Sequence, residues 1–217
     1  MAITLRFWDM DHTLIDNDCD VSWKTFMISQ GFAPAGAMEK ADFFFQQYLD
    51  GCLDVGAFIE FQLAEFKGRT EEEVRKMACD HFQQVVQEKL VPSMEALVQE
   101  QLAAGDKVFL LTATNRIIAE PVAAHLGMHR VYAAEPELAD GRFTGRIAGD
   151  YTVGAGKVQV IEHVTEEFGM TPADAWYYGD SRTDIPVLEA VGHPVAVQPA
   201  TALRSAAQEN GWPILEW

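Results

Sequence analysis

Basic side chains are scarce. Lys and Arg number 16 against 33 Asp and Glu, a formal net charge of −17 over 217 residues. Nucleic acid and anionic membrane both demand a basic face, so the sequence predicts neither as a partner. A large polyanionic substrate is disfavoured on the same ground. A small anion remains admissible where a metal ion and a lysine reverse the sign locally. The plainer use of the acid excess is solubility. Long apolar runs are missing too: none approaches the ~20 residues of a membrane span. Met1 to Arg6 lacks the basic segment and long apolar stretch of a signal peptide. Cysteine is sparse, and Cys19, Cys52 and Cys79 show no short metal-ligand spacing. That predicts free thiols, a reducing compartment and a cytoplasmic location. Cys19 has no basic neighbour to lower its pKa, which argues against a catalytic thiol. No internal repeat, low-complexity tract or long linker breaks the chain, and nothing in it speaks to oligomeric state.

What is present suits one sizeable domain, or one domain carrying an insertion: 48% hydrophobic residues and 23% charged. The apolar run Ile3 to Trp8, with Arg6 inside it, leads into Asp9 and Asp11. If residues 3–8 form a strand, both carboxylates project the same way just past its end. Two acids that close call for a cation between them or a retained proton. The bland alternative is a polar turn in which Asp11 caps a helix.

Residues 16–91 contain no convincing strand. Helices are predicted around Val21–Met27, around Phe43–Leu49 with Gly51 as the stop, and from Asp54 through Phe58 and Phe61. Another is predicted from a capping box of Thr70 and Glu73 through Phe82, Val85 and Val86. From Pro92 onward helices and strands alternate. Strands are expected at 107–111, 131–133, 175–178, 195–197 and 213–215, and a hairpin at 134–148 around Asp140-Gly141. Alternation of this kind implies parallel β-α-β units: an α/β fold, an open, mostly parallel sheet covered on both faces.

Ligands bind beyond the carboxyl ends of such strands. The polar residues there are Asp9 and Asp11 after the first strand, Thr112 and Ala113 after the second, and Gly179, Asp180, Ser181 and Asp184 after the strand near 178. Gly154-Ala155-Gly156-Lys157 opens a helix at the same edge. Each has a modest alternative: Thr112 or Asp184 as an N-cap, Asp180 as a turn residue, Lys157 as a solvated first-turn lysine. All of these holding together is the less economical reading. Several carboxylates without His or Cys partners favour a hard cation bound through oxygen, most simply Mg²⁺. A hydroxyl and a lysine add donors for phosphate oxygens. An aspartate there can attack phosphorus, while a carboxyl two residues on protonates the leaving group and then activates water.

These residues resemble the four motifs of the haloacid dehalogenase superfamily of phosphatases, and within it subfamily IB, the phosphoserine-phosphatase-like branch. Asp9, Asp11 and Thr13 match Asp-x-Asp-x-Thr. Leu110-Leu111-Thr112 matches the second motif, Lys157 the third, and Gly179, Asp180 and Asp184 the fourth. The resemblance implies a Rossmann-like three-layer core over 1–15 and 92–217, with an inserted all-helical C1-type cap over 16–91. It implies Asp9 as nucleophile and Asp11 as general acid/base. It implies Mg²⁺ held by Asp9, Asp180 and the backbone carbonyl of Asp11. Thr112, the amide of Ala113 and Lys157 would hold the phosphoryl group, with Asp184 supporting Lys157 or the metal's waters.

The expected substrate is a small phosphorylated metabolite. Phosphoserine phosphatases use a cap glutamate for the substrate ammonium and a cap arginine for its carboxylate. Asp18 stands at about the glutamate's place, and residues 41–66 contain no Lys or Arg. Arg116 and Arg182 follow site strands and are the candidates to replace that arginine from the core loops, with a solvated loop position the favoured reading. An acidic stretch, Asp16 to Asp20, without a matching cation favours a cationic substrate lacking a carboxylate. Histidinol phosphate is the first expectation, phosphoserine the second, and phosphoethanolamine or phosphocholine fit in part. Trp23, Phe44 or Phe58 would stack on such a cation, although cap core is their commoner use. Two other classes compete. A phospho-accepting receiver module would carry no helical insertion. A non-catalytic binding protein on a phosphatase core would have lost a motif residue, and none is missing.

Overall fold

The computed structural model describes residues 3–49, 52–149 and 152–217. Seven strands form one sheet in the order β4-β3-β2-β1-β5-β6-β7. They are β1 (Leu5–Trp8), β2 (Lys107–Asn115), β3 (Arg130–Ala139), β4 (Arg142–Ala148), β5 (Ala175–Gly179), β6 (His193–Val197) and β7 (Ile214–Leu215). Every pairing is parallel except β3 with β4. The expected α/β class and mostly parallel sheet are present. Strand β1 sits at the centre, and the alternation of its side chains feeds both faces. Leu5 and Phe7 join Phe109, Leu111, Ile161, Val164, Leu188 and Leu203, under α7 (Ala155–Glu167), α8 (Ile185–Ala190) and α9 (Thr201–Asn210). Trp8 faces the other way with Leu110, Val98, Ile118 and Val122, under α5 (Pro92–Ala103) and α6 (Arg116–Leu126). Each such side chain contributes about 1.5–3 kcal/mol on burial.

Between β1 and α5 lie α1 (Cys19–Ser29), α2 (Ala37–Leu49), α3 (Val55–Gln62) and α4 (Glu71–His81), with no strand among the described residues. Local signals explain their starts. Asp18 accepts from Val21 N, Asp54 from Ala57 N, and Thr70 and Glu73 form the reciprocal capping box. Gly51, expected to stop α2, lies outside the described residues. The last predicted helix is regular only to His81 and continues as a wider turn over Phe82–Val86, which buries both of those end residues.

The insertion packs on the sheet layer in two parts. Trp23, Phe66, Val74 and Met77 share a buried cluster with Leu110 and Val98. Its loop is hydrogen-bonded to the β3–β4 hairpin, Gly68 N to Phe143 O at 2.8 Å and Phe143 N to Arg69 O at 2.9 Å. Ala37, Phe44 and Phe61 form a small separate cluster that joins α2 to α3. Phe44 and Trp23 are thus core residues, the commoner of their two expected uses.

Two strands are longer than expected. β2 continues through Thr112, Ala113 and Thr114: β-branched threonines suit a pleated surface, and pairing with β3 resumes at Asn115 and Ala134 after a register shift beyond Leu111. β3 runs to Ala139 and turns at Asp140 and Gly141, both at positive φ, into β4. Among the described residues no helix is long and apolar enough to cross a membrane.

Candidate active site

Parallel registry gathers the site. Trp8 is level with Leu110 of β2 and Tyr178 of β5, so Asp9 emerges between the ends of those two neighbours. Asp9 N donates to Tyr178 O at 2.8 Å, which carries the strand geometry up to the carboxylate. Just beyond it, His12 takes a left-handed φ of 53°, a conformation that costs a non-glycine residue about 1–3 kcal/mol. The turn brings the Thr13 hydroxyl to 3.4 Å from Asp180 Oδ1, across from β1 to β5.

Lys157 is not a solvated lysine. It is 1% exposed, and its Nζ lies 2.9 Å from Asp9 Oδ2, 2.7 Å from Asp184 Oδ1 and 2.8 Å from the Tyr177 hydroxyl. Asp184 also accepts from Ser181 N and Oγ, which fixes the turn after β5. Gly179 is required for this approach: a Cβ there would stand 2.8 Å from Asp184 and from Tyr177.

Asp9, Asp180 and Asp184 place carboxylate oxygens within 4.8 Å of one another, all three buried. Burial, with Asp184 adding to it and Lys157 opposing, lifts Asp9 to about 7. Burial and the charges of Asp9 and Asp184 push Asp180 up to about 9. Burial also acts on Asp184, but Lys157, Tyr177 and Ser181 bring it below the ordinary carboxylate value. For Lys157, burial is outweighed by Asp184 and Asp9, and its pKa rises. Once ionised, the three buried acids outnumber the one lysine, and they offer an all-oxygen donor set. That fits a hard divalent cation such as Mg²⁺, and no His or Cys is present to favour a softer metal.

The Asp11 carboxylate is not in that group. Oδ2 accepts from the Thr114 hydroxyl at 2.6 Å and Oδ1 from Cys19 N at 2.9 Å. Burial and nearby Asp18 raise it to about 6, against the pull of those two donors. Thr112 is buried on β2, and its Oγ1 accepts from Thr114 N at 3.2 Å, so its own hydrogen stays available to a ligand oxygen. It does not cap α6, a role taken by Asn115.

A pocket lies between the insertion and the sheet edge, lined by Asp20, Phe58, Ile59, Gln62, Leu63, Ala113, Asn115, Ala134 and Ile147. Its volume of about 20 Å³ has room for one water. The acid on its wall is Asp20, not Asp18, which is exposed and spends its carboxylate capping α1. Burial, with Asp18 and Asp11 nearby, raises the Asp20 carboxyl well above its usual range. Gln62 Oε1 is buried without a protein partner. No cationic side chain lines the pocket. Arg116 is not a solvated loop residue. It grips Glu135 through both oxygens at 2.6 and 2.7 Å and reaches Glu120 and Glu71. Arg182 is exposed, as expected. Asp20, Thr114 and Tyr177 are the site residues that motif reading passes over. A half-turn count from the α1 N-cap marks the first; Thr114 lies where β2 shifts register against β3, which no strand period reveals.

Known proteins give this geometry its place. The sequence profile of the haloacid dehalogenase-like hydrolases matches residues 7–189. A histidinol-phosphatase of Neisseria meningitidis serogroup C is 32% identical over 98% of both chains. Phosphoserine phosphatase SerB1 of Mycobacterium tuberculosis is 33% identical over 76% of this chain and 53% of its own length. A crystal structure of a protein with unknown function from Bordetella pertussis superposes with a TM-score of 0.91, at 32% identity over 99% of both chains. A substrate-bound phosphoserine phosphatase superposes with a TM-score of 0.73 at 18% identity, covering 99% of this chain and 93% of that one, which shows the shared fold. The chain belongs to the haloacid dehalogenase-like hydrolase family and is a phosphatase within it.

Proposed function

We propose that the protein is a Mg²⁺-dependent phosphomonoesterase that works through an aspartyl-phosphate on Asp9. The observation that carries this reading is the buried cluster of Asp9, Asp180, Asp184 and Lys157 at the end of the central strand. Asp9 and Asp180, with the carbonyl of Asp11, hold the metal in this account, and Asp184 anchors Lys157. Bound there, Mg²⁺ supplies charge neutralisation for the phosphoryl oxygens. Thr112, the amide of Ala113 and Lys157 bind and orient those oxygens. An Asp9 oxygen bonds to phosphorus as the ester P–O bond breaks, and Asp11 protonates the departing alkoxide. Asp11, now a carboxylate, takes a proton from water, whose oxygen bonds to phosphorus and releases Asp9 and inorganic phosphate. Residues 16–91 act as a cap over this site. The pocket beside Ala113 has room for one water, and in this account opening of the cap widens it for a metabolite.

The substrate in this account is an amino-alcohol phosphate, histidinol phosphate first. On the pocket wall Gln62 Oε1 is an acceptor without a protein donor, and Asp20, kept protonated by burial and its acidic neighbours, would ionise beside a substrate ammonium; no cation there matches a carboxylate. Phosphoserine would set its carboxylate beside Asp20 unpaired, a costly arrangement in a buried site. The identity shared with a histidinol-phosphatase over the whole chain points the same way. Free cysteines and the absence of a long apolar helix among the described residues accord with a cytoplasmic location. The test of the chemistry is Asp9→Asn. This variant should keep the wild-type fold and lose phosphate release. Wild-type activity in the purified variant would refute the mechanism.

A further inference from the structure

Thr114 stands outside the four motifs, yet it touches two of their residues. Its hydroxyl donates to Asp11 Oδ2 at 2.6 Å, and its amide donates to Thr112 Oγ1 at 3.2 Å. Thr112 and Thr114 lie where β2 shifts register against β3, between Leu111 and Asn115, and the bond from the Thr114 amide to Thr112 Oγ1 holds the two residues together there. The other Asp11 oxygen takes the amide of Cys19, the first residue of α1. Asp11 is thus clamped between the sheet edge and the inserted helices. Thr114 is only 3% exposed, a position where valine would fill the same volume without a polar atom to desolvate. Packing alone gives no reason for a hydroxyl there.

We infer that Thr114 is a positioning residue for leaving-group protonation. The inference rests on the assignment of Asp11 as the general acid. As an Asp9 oxygen bonds to phosphorus, the ester P–O bond breaks and its electron pair goes to the leaving oxygen. Asp11 delivers its proton to that oxygen and becomes a carboxylate. The Thr114 hydroxyl hydrogen already points at this carboxylate, and a hydrogen bond onto a developing charge strengthens as the charge grows. The same bond keeps the acid in fixed register with Thr112, which faces the phosphoryl oxygens.

The test compares kcat/KM for two kinds of ester, because this ratio reports the first irreversible step. Histidinol phosphate and phosphoserine release alkoxides that need a proton, whereas p-nitrophenyl phosphate releases a phenolate that does not. Thr114→Val should lose about 10–100-fold on the alkyl esters and less than about threefold on the nitrophenyl ester. Thr114→Ser should return the alkyl-ester value to within about threefold of wild type, and Thr114→Ala should behave as the valine variant does if the latter folds poorly. Equal losses on both kinds of ester, or none on the alkyl esters, would overturn the inference. Asp11→Asn must show the same selectivity, more strongly. If it shows none, the acid role of Asp11 and this inference fall together, and failure of the wild type on every ester removes the proposed function itself.

Discussion

The Lys157 ammonium lies 2.7 Å from Asp184 Oδ1, and both side chains are essentially inaccessible to water. The same nitrogen reaches Asp9 at 2.9 Å, so one cation holds the nucleophile assigned above and the turn after β5 in a common frame. A buried pair of this kind is costly to assemble and costlier to break.

Replacing Lys157 by methionine removes the cation and leaves its partners buried together. The expected loss is about 3–5 kcal/mol of stability, read by denaturant unfolding. Turnover should fall by about 10²–10³-fold or more, as for other lost transition-state donors. A folded, stable Lys157→Met protein with near-normal activity would show that the lysine is only packing.

Arg116 makes a different prediction. It is held charged by Glu135 and Glu120, and it ties α6 and β3 to Glu71 at the start of α4. Arg116→Gln should cost about 1–2 kcal/mol, a figure discounted for the partial exposure of the network. Because Arg116 faces acids and not the pocket, the ratio of kcat/KM between histidinol phosphate and phosphoserine should stay unchanged. A collapse of phosphoserine turnover alone would identify Arg116 as the carboxylate anchor instead.

His81 gives the protein an acid-sensitive joint. Asn17 Nδ2 donates to Ser22 Oγ at 2.8 Å, and Ser22 Oγ lies 3.0 Å from His81 Nε2, which accepts from the hydroxyl or donates to it according to the imidazole tautomer. Burial against Trp23 and Phe26 lowers the His81 pKa to about 4. The unfolded chain, at about 6.5, takes up this proton first. The His81 contribution is therefore intact above pH ~6.5, falls as pH drops, and is exhausted near pH ~4, a total of about 3 kcal/mol. Unfolding midpoints of wild type and His81→Gln should converge or cross across that window, since glutamine does not titrate. Parallel curves would mean that His81 does not feel its burial.

Much of this was legible locally. The capping box at Thr70 and Glu73, the Asp140-Gly141 turn and the apolar run into Asp9 are short-range patterns with one good structural solution each. The four motif groups met at one edge because parallel strands bring their carboxyl ends together, which alternation alone implies. What escaped was non-local. Beyond its i+4 neighbour Glu120, Arg116 has partners on two other elements, Glu71 of α4 and Glu135 of β3, and no window of sequence reveals those. The strand expected at 107–111 stops short of Thr114, because β2 extends to Asn115 only through its pairing with β3. Asp18, expected at the glutamate's place, is instead the α1 N-cap. Once Asp18 became the N-cap, helical rotation turned Asp20, not Asp18, toward the pocket.

The central claim is a phosphatase site whose pocket welcomes a cation and has no answer for a carboxylate. The most direct measurement is Mg²⁺-dependent phosphate release, as kcat/KM, for histidinol phosphate and phosphoserine side by side. The expected result is a preference for histidinol phosphate of about tenfold or more, at least ~1.4 kcal/mol in transition-state binding. Equal or faster turnover of phosphoserine would contradict it.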